Sequence, residues 1–140
     1  MKTIVLYYSL QGSTRRAAEE EARKRGADLL EIKEAAPRSV ASAYLKGCYQ
    51  ALNHKTVPLE PEIPSLISYD NIILMAPVWA GYPAPPFNNM IEALPVGKNV
   101  EVILLSLSGG SRCRSKVEEQ VHSQGCKLAA FIDRKSQRST

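Results

Sequence analysis

The chain has 140 residues and a formal net charge of +4, and 44% of its residues are hydrophobic. This length favours one domain over residues 1–140 with a single core. No apolar run is long enough to cross a bilayer, and no aromatic residues interleave with the basic ones as in a nucleic-acid-binding surface. The first residues lack a signal-peptide pattern, so a cytoplasmic location is the default expectation. The three cysteines have no close pair, which argues against a zinc site and a disulfide framework.

The first half of the chain alternates strand-like and helix-like segments. An apolar, β-branched run at 3–8 predicts a strand, and the strong helix formers of 15–25, followed by Gly26, predict a helix. A more exposed strand is expected at 29–32. Apolar residues from Val40 onward have helical spacing, and the prolines after them predict an extended connection. The helix-spaced residues are Tyr44, Leu45, Cys48 and Leu52, and the prolines are Pro58, Pro61 and Pro64.

The second half continues this alternation. Its strands are nearly continuous apolar runs, as expected for strands that are buried on both faces. Its helices are indicated by apolar residues at helical spacing and by proline or serine at their starts. We predict strands at 71–78, 100–107 and 128–132. Between the first two strands we predict a helix that starts at Pro85 and Pro86, with apolar residues at Phe87, Met90, Ile91 and Leu94. Between the last two we predict a helix that is opened by Ser111 and closed by Gly125.

Regular alternation of strands and helices specifies a parallel sheet with right-handed crossovers. In such sheets ligands bind beyond the carboxyl ends of the strands, where the strand order switches. Three loops follow the predicted strands at that edge, at 9–14, 77–86 and 106–111. We therefore expect the functional site to form where these loops meet.

The first loop has the composition of an anion site. Gly12 allows close backbone approach, and the hydroxyls of Ser9, Ser13 and Thr14 can donate to phosphate oxygens at a helix start. A helix cap and turn without a ligand explains the same residues equally well. The sequence contains no Walker-type or G-x-G-x-x-G phosphate motif.

The other two loops can form walls beside a flat ligand. Trp79, the only tryptophan, lies on a proline-rich loop, and Gly81 would let a backbone group approach a ring. A hydrophobic plug or a dimer contact is the alternative for this loop. The paired glycines Gly109 and Gly110 are typical of a tight turn and, beside the other loops, of a backbone-rich wall. No side chain in the loops stands out as a general acid or base, and no metal site is expected.

These motifs resemble those of the flavodoxin family over essentially the whole chain. Residues 8–15 read Tyr-Ser-Leu-Gln-Gly-Ser-Thr-Arg and are similar to its phosphate loop. Residues 69–81 and 108–111 are similar to its second and third flavin loops. The resemblance implies FMN as cofactor, with its phosphate and ring held by the following residues. They are Ser9, Gln11, Gly12, Ser13 and Thr14 for the phosphate, and Pro77, Val78, Trp79, Ala80, Gly81, Ser108, Gly109 and Gly110 for the ring.

The resemblance also implies a doubly wound α/β fold, with five parallel strands in the order 2-1-3-4-5. Gln11 replaces a threonine usual in the family, and Ala80 replaces an aromatic residue. The family's last helix has no counterpart after the strand at 128–132. Because the strands at 72–78 and 102–107 are apolar on both faces, we expect one sheet face to be left bare. A homodimer or a partner subunit would cover it.

The implied function is an FMN-binding oxidoreductase or electron-transfer protein that has a small-molecule or protein redox partner. Because carrier flavodoxins tend to be acidic, the basic charge favours an NAD(P)H-dependent reductase of a quinone-like acceptor. Two alternatives stay open. One is a flavodoxin-fold binding or assembly module that has lost FMN, and the other is a different anion-binding enzyme on the same scaffold.

Overall fold

The computed structural model describes residues 2–36, 39 and 43–136. Five strands form a parallel sheet in the order β2-β1-β3-β5-β6, and β4 pairs antiparallel with the end of β3. The predicted order 2-1-3-4-5 is confirmed, since β4 only shifts the numbering. The elements are β1 (Thr3–Tyr7), α1 (Ser13–Arg25), β2 (Asp28–Glu31), a π-helical turn (Ala43–Gly47) that continues into α2 (Cys48–Leu52), β3 (Asn71–Trp79), β4 (Tyr82–Pro83), α3 (Pro86–Glu92), β5 (Asn99–Ser106), α4 (Arg114–Ser123) and β6 (Lys127–Lys135).

The central strands β1, β3 and β5 are buried on both faces because helices pack on both sides of the sheet. Val5, Ile73 and Ile103 belong to the core beneath α1. Leu6 and Leu74 point to the opposite face and join the larger core that includes residues of α3 and α4. Each such side chain contributes about 1.5–3 kcal/mol by leaving water. Among the residues that the structure describes, no helix combines the length and apolar character needed to span a membrane.

Several predicted boundaries are wrong. The last helix starts at Arg114 with Cys113 as its N-cap, and not at Ser111. The N–H of Arg112, which precedes the helix, is bonded to the carbonyl of Gly81 (2.9 Å). The final strand extends to Lys135, and β4 was not predicted at all.

The second predicted helix is only partly present among the described residues. Positions 40–42 lie outside them, and regular α-helix begins at Cys48. Its predicted apolar face does not pack into the core, since Leu45 is 81% and Leu52 is 45% exposed. The extended connection is confirmed: after α2, the prolines Pro58, Pro61 and Pro64 lie outside helix and strand.

The sheet face beside α1 is not bare, contrary to expectation. The described chain ends at Ser136, just after β6, without a further helix. Nevertheless Ile103 and Leu105 are only 0% and 3% exposed. A bare sheet face therefore no longer supports the predicted homodimer or partner subunit. Its existence stays a prediction, and gel filtration tests it.

Charged side chains cover this face, in an ion-pair network of Glu21, Arg25, Glu101 and Arg134. Arg25 bonds to Glu21 at 2.7 Å and to Glu101 at 2.6 Å, and Arg134 lies 3.7 Å from Glu21. Glu101 and Arg134 project to the same face as α1, as the strand register requires. The network therefore joins α1 to β5 and β6 across the apolar layer.

The buried carboxylate of Glu21 is the centre of this network. Burial opposes its ionisation, but the Arg25 hydrogen bond and the charges of Arg25 and Arg134 outweigh that effect and hold the pKa of Glu21 below its usual 4.5. The hydrogen bond of Arg25 to Glu101, and to a smaller extent its hydrogen bond to Glu21, raise the pKa of Arg25. Glu21 therefore stabilises the folded state only while it is ionised.

We predict that Glu21→Gln lowers the free energy of unfolding by about 1–3 kcal/mol at pH 7, because Arg25 and Arg134 lose a buried charge partner. Since the folded pKa is depressed, the native contribution is complete above pH 4.5 and disappears as the pH falls through the folded pKa. Urea unfolding followed by circular dichroism from pH 7 to pH 3 measures the difference between the two proteins. The difference should shrink in acid, and the exposed neighbour variant Glu20→Gln should show neither effect. A difference that is constant with pH would contradict the assignment.

Candidate functional site

The start of α1 is shaped as an anion site. Gly12 precedes the helix with φ +101° and offers no side chain to cap it, and its own N–H donates to the hydroxyl of Ser9 at 2.9 Å. The first helical bond runs from Arg16 N–H to the Gly12 carbonyl (3.1 Å). The N–H groups of the first turn, which precede this bond, have no acceptor within the helix. The first turn therefore presents their partial positive charge at the loop.

Thr14, in that first turn, is buried, with 2% of its surface exposed. Its hydroxyl has no partner among the residues that the structure describes. A buried polar group left in that state costs about 1–3 kcal/mol. Thr14 lines a cavity at the carboxyl end of the sheet. A ligand atom in that cavity would remove the cost.

The second loop, predicted as a proline-rich loop, contains a tight hairpin that was not predicted. Trp79 and Tyr82 pair across a two-residue turn, in which Ala80 and Gly81 both have positive φ (56° and 88°). Such a turn matches the twist of the flanking strands, but alanine adopts this conformation only under strain. The guanidinium of Arg112 donates to the Ala80 carbonyl at 3.1 Å and clamps the turn.

Trp79 is oriented by an aromatic contact. The ring of Tyr8 lies edge-on to it, with centroids 6.0 Å apart and planes at 81°. Tyr8 is itself buried, and its hydroxyl donates to the carboxylate of Glu34. Edge-to-face contacts of this kind favour one ring orientation. Tyr8 therefore acts as a support for the tryptophan wall.

The third loop is closed by its own hydrogen bonds. The hydroxyl of Ser106 accepts from Gly109 N–H (2.9 Å) and donates to the Gly110 carbonyl (3.1 Å). The hydroxyl of Ser108 accepts from Gly110 N–H at 3.3 Å. Gly109 has φ +83°, and a Cβ there would lie 3.5 Å from Lys135. The loop is a preformed turn whose backbone faces the second loop.

The three loops meet around a cavity of about 300 Å³. An adjoining cavity of about 520 Å³ shares Val78, Ser106 and Leu107 with it and extends along the third loop. The fold therefore brings together the three loops that were predicted from the sequence. Eight of the predicted residues line the first cavity, and they are Ser9, Gln11, Ser13, Thr14, Pro77, Val78, Trp79 and Ala80.

The remaining predicted residues lie elsewhere around the site. Gly81, Ser108 and Gly110 line the adjoining cavity. Gly12 and Gly109 line neither cavity, and their role is to set the backbone of their loops through positive φ.

Other lining residues were not predicted. Four of them, Leu10, Ser106, Leu107 and Ser111, lie inside the predicted loops but were not named as ligand contacts. The others come from segments outside those loops. In the first cavity the residues that were not predicted are Leu10, Cys48, Leu105, Ser106, Leu107 and Ser136, and in the second Ser106, Leu107, Ser111 and Arg112. Cys48 shares the helical spacing that predicted a packed face, so only its place in the fold shows that it reaches the site.

The lining of the first cavity contains no Asp, Glu, His, Lys or Arg among the described residues. Its polar groups are hydroxyls, one amide, one thiol, one indole N–H and backbone groups. Such a site can bind and orient a ligand through neutral donors and a helix dipole, and its described lining offers no carboxyl, imidazole or amine side chain for general acid–base catalysis.

We predict that Gly81→Ala destabilises the protein more than Gly97→Ala. Both glycines have positive φ (88° and 84°), so both variants should lose about 1 kcal/mol from backbone strain. Only the alanine Cβ at position 81 would lie 2.6 Å from Arg112 Nε, whereas nothing lies within 4 Å at position 97. The flexible Arg112 side chain would move away and lose its hydrogen bond to the Ala80 carbonyl, which adds about 0.5–1.5 kcal/mol. Chemical denaturation measures both losses. In an Arg112→Ala background the two variants should cost the same, and an unchanged gap there would refute the clamp.

Comparison with known proteins places these observations in context. A family model described as Flavodoxin matches residues 2–136. The comparison with curated proteins found no significant match.

Several solved structures share the fold. A protein from Bacteroides eggerthii DSM 20697 that is proposed to be a flavoprotein has a TM-score of 0.79 at 23% identity, over 99% of this chain and 89% of its own. A second such protein, from Bacteroides uniformis ATCC 8492, has a TM-score of 0.77 at 25% identity, over 93% and 88%. A flavoprotein from Lactobacillus acidophilus NCFM, solved in complex with FMN, has a TM-score of 0.70 at 24% identity, over 96% and 93%.

Proposed function

The chain belongs to the flavodoxin family, and from that premise we propose that it is an FMN-binding electron-transfer protein. The observation that carries the proposal is the buried hydroxyl of Thr14, which has no partner among the described residues and lines the cavity at the start of α1. A phosphate is the group that this arrangement suits best, because it accepts hydrogen bonds and is favoured by the helix dipole.

The chemistry of the donor set fits a phosphate monoester. Besides Thr14, the loop supplies hydroxyls from Ser9 and Ser13, the amide of Gln11 and the backbone of the first helical turn. None of these groups is anionic, so none would repel a dianion. Gln11 stands where the family usually has threonine, and its amide N–H₂ can take over the donor role.

The hairpin supplies a surface for a flat ring. Trp79 and Ala80 line the same cavity as the phosphate donors, and Leu107, which is 70% exposed, lines it from the third loop. Burying Leu107 and the indole against an apolar ring would be favourable. Gly81 and Gly110 line the adjoining cavity, where backbone groups could meet the polar edge of the ring.

When bound, FMN supplies the redox chemistry by accepting and returning electrons. The chain's own residues bind the phosphate, orient the ring and limit its contact with water. The structure of the L. acidophilus flavoprotein in complex with FMN supports the assignment of the cofactor.

The finer proposal is an NAD(P)H-dependent reductase of a quinone-like acceptor, acting in the cytoplasm. The net charge of +4 and the guanidinium of Arg112 beside the adjoining cavity support an anionic partner. The test follows NAD(P)H oxidation by the FMN-loaded protein, with and without a quinone. If the quinone causes no acceleration, the reductase assignment fails, while electron transfer to a protein partner stays open.

We predict that Thr14→Val weakens FMN binding by about tenfold or more, since one hydrogen bond to a charged group contributes about 1.5–3 kcal/mol. The same change should leave the free energy of unfolding of the FMN-free protein unchanged or higher, because it removes a buried hydroxyl that has no partner among the described residues. Quenching of FMN fluorescence gives the affinity, and urea unfolding gives the stability.

Thr56→Val is the matched control, because Thr56 is exposed and lies outside the cavity. It should leave FMN affinity unchanged. If Thr14→Val binds FMN as tightly as the parent protein, the phosphate does not sit at Thr14. If the parent protein does not quench FMN at all, the chain is better described as a binding or assembly module that has lost the cofactor.

A further inference from the structure

We propose that Cys48 forms a wall of the FMN site, so that bound FMN and a covalent adduct on this thiol exclude each other. The inference rests on the proposed function and adds a modification site to it. Cys48 opens α2 and is half-buried. The residue lines the cavity of about 300 Å³ together with Thr14 and Trp79.

The position of Cys48 is fixed by the packing of α2. Ala51, one helical turn on, is 0% exposed, and α2 contacts both β3 and β4, the two strands of the tryptophan hairpin. The extended segment after the helix is anchored as well, since Asn89 exchanges two hydrogen bonds with the backbone of Val57 (3.0 and 2.7 Å). The thiol is therefore held at the cavity by elements on both sides.

That the cavity takes a ligand follows from an observation independent of the thiol. The hydroxyl of Thr14 is buried, makes no hydrogen bond to a described residue and lines the same cavity. A ligand that satisfies Thr14 and contacts Trp79 has to fill a space of about 300 Å³ whose lining includes Cys48. A ligand of that size would cover the thiol.

The other two cysteines are not accessible in the folded protein. Cys113 is 1% exposed, and burial raises the pKa of its thiol. Cys126 is 7% exposed and donates to the carbonyl of Pro95 at 3.0 Å. Because the thiolate is the reactive form and needs access to the reagent, Cys48 should be the thiol that reacts fast.

Mutual exclusion follows from the shared space. With N-ethylmaleimide, the thiolate sulfur of Cys48 bonds to one alkene carbon and a proton from water adds to the other, without a leaving group. The resulting thioether would occupy part of the cavity. Because FMN and the thioether would need the same space, we expect bound FMN to slow formation of the adduct and the completed adduct to weaken FMN binding.

The experiment treats the full chain with N-ethylmaleimide, with and without saturating FMN, and follows adducts by peptide mass spectrometry. We expect one fast adduct, on Cys48, slowed by about tenfold or more when the FMN concentration is at least about ten times its Kd, because few sites are then free. After complete reaction, FMN affinity measured by fluorescence quenching should fall by about tenfold or more, because the adduct fills part of the cavity. In Cys48→Ser the reagent should leave FMN affinity at that variant's own untreated value.

The outcomes separate this inference from the proposed function. If FMN binds but Cys48 reacts at the same rate, the wall assignment is overturned while the flavin site stands. Fast labelling of Cys113 or Cys126 in place of Cys48 would also overturn it. If FMN fluorescence is not quenched, the proposed function fails, and the inference fails with it.

Discussion

A buried hydroxyl group at the positive end of a helix, with no partner in the described part of the chain, is the constraint on which the rest of the site depends. Thr14 is 2% exposed, and the structure gives its hydroxyl no hydrogen bond within the described residues. A native fold retains a buried hydroxyl of this kind where a bound ligand supplies the missing hydrogen bond. Because Gly12 starts α1 without a side-chain cap, the first turn of the helix is also directed towards that ligand.

The rest of the fold holds this helix start opposite a rigid aromatic wall. The ion-pair network attaches α1 to β5 through Arg25 and Glu101, and to β6 through Glu21 and Arg134. On the other side, Trp79 is fixed by its edge contact with Tyr8 and by the turn that Arg112 clamps. Preorganisation of this kind lowers the entropy lost when a ligand binds.

The sequence predicts the sheet and the three loops because their signals are local. The apolar run that forms β3 and the glycine-hydroxyl loop before α1 depend on neighbouring residues alone. The β3–β4 hairpin was not predicted because alanine rarely adopts positive φ. Ala80 does so here with its carbonyl held by Arg112, which is distant in sequence. Cys48 was missed because its helical spacing also fits a packed face, and only the tertiary position of α2 brings it to the cavity.

The most direct test of the central claim is calorimetric titration of the protein with FMN and with riboflavin, which lacks the phosphate but carries the same ring. If the start of α1 binds the phosphate, FMN should bind at least about tenfold more tightly than riboflavin, as expected for one charge-assisted hydrogen bond or more. The preference should decrease as inorganic phosphate is added, because phosphate competes for the same donors. Equal affinities for the two flavins would contradict the account.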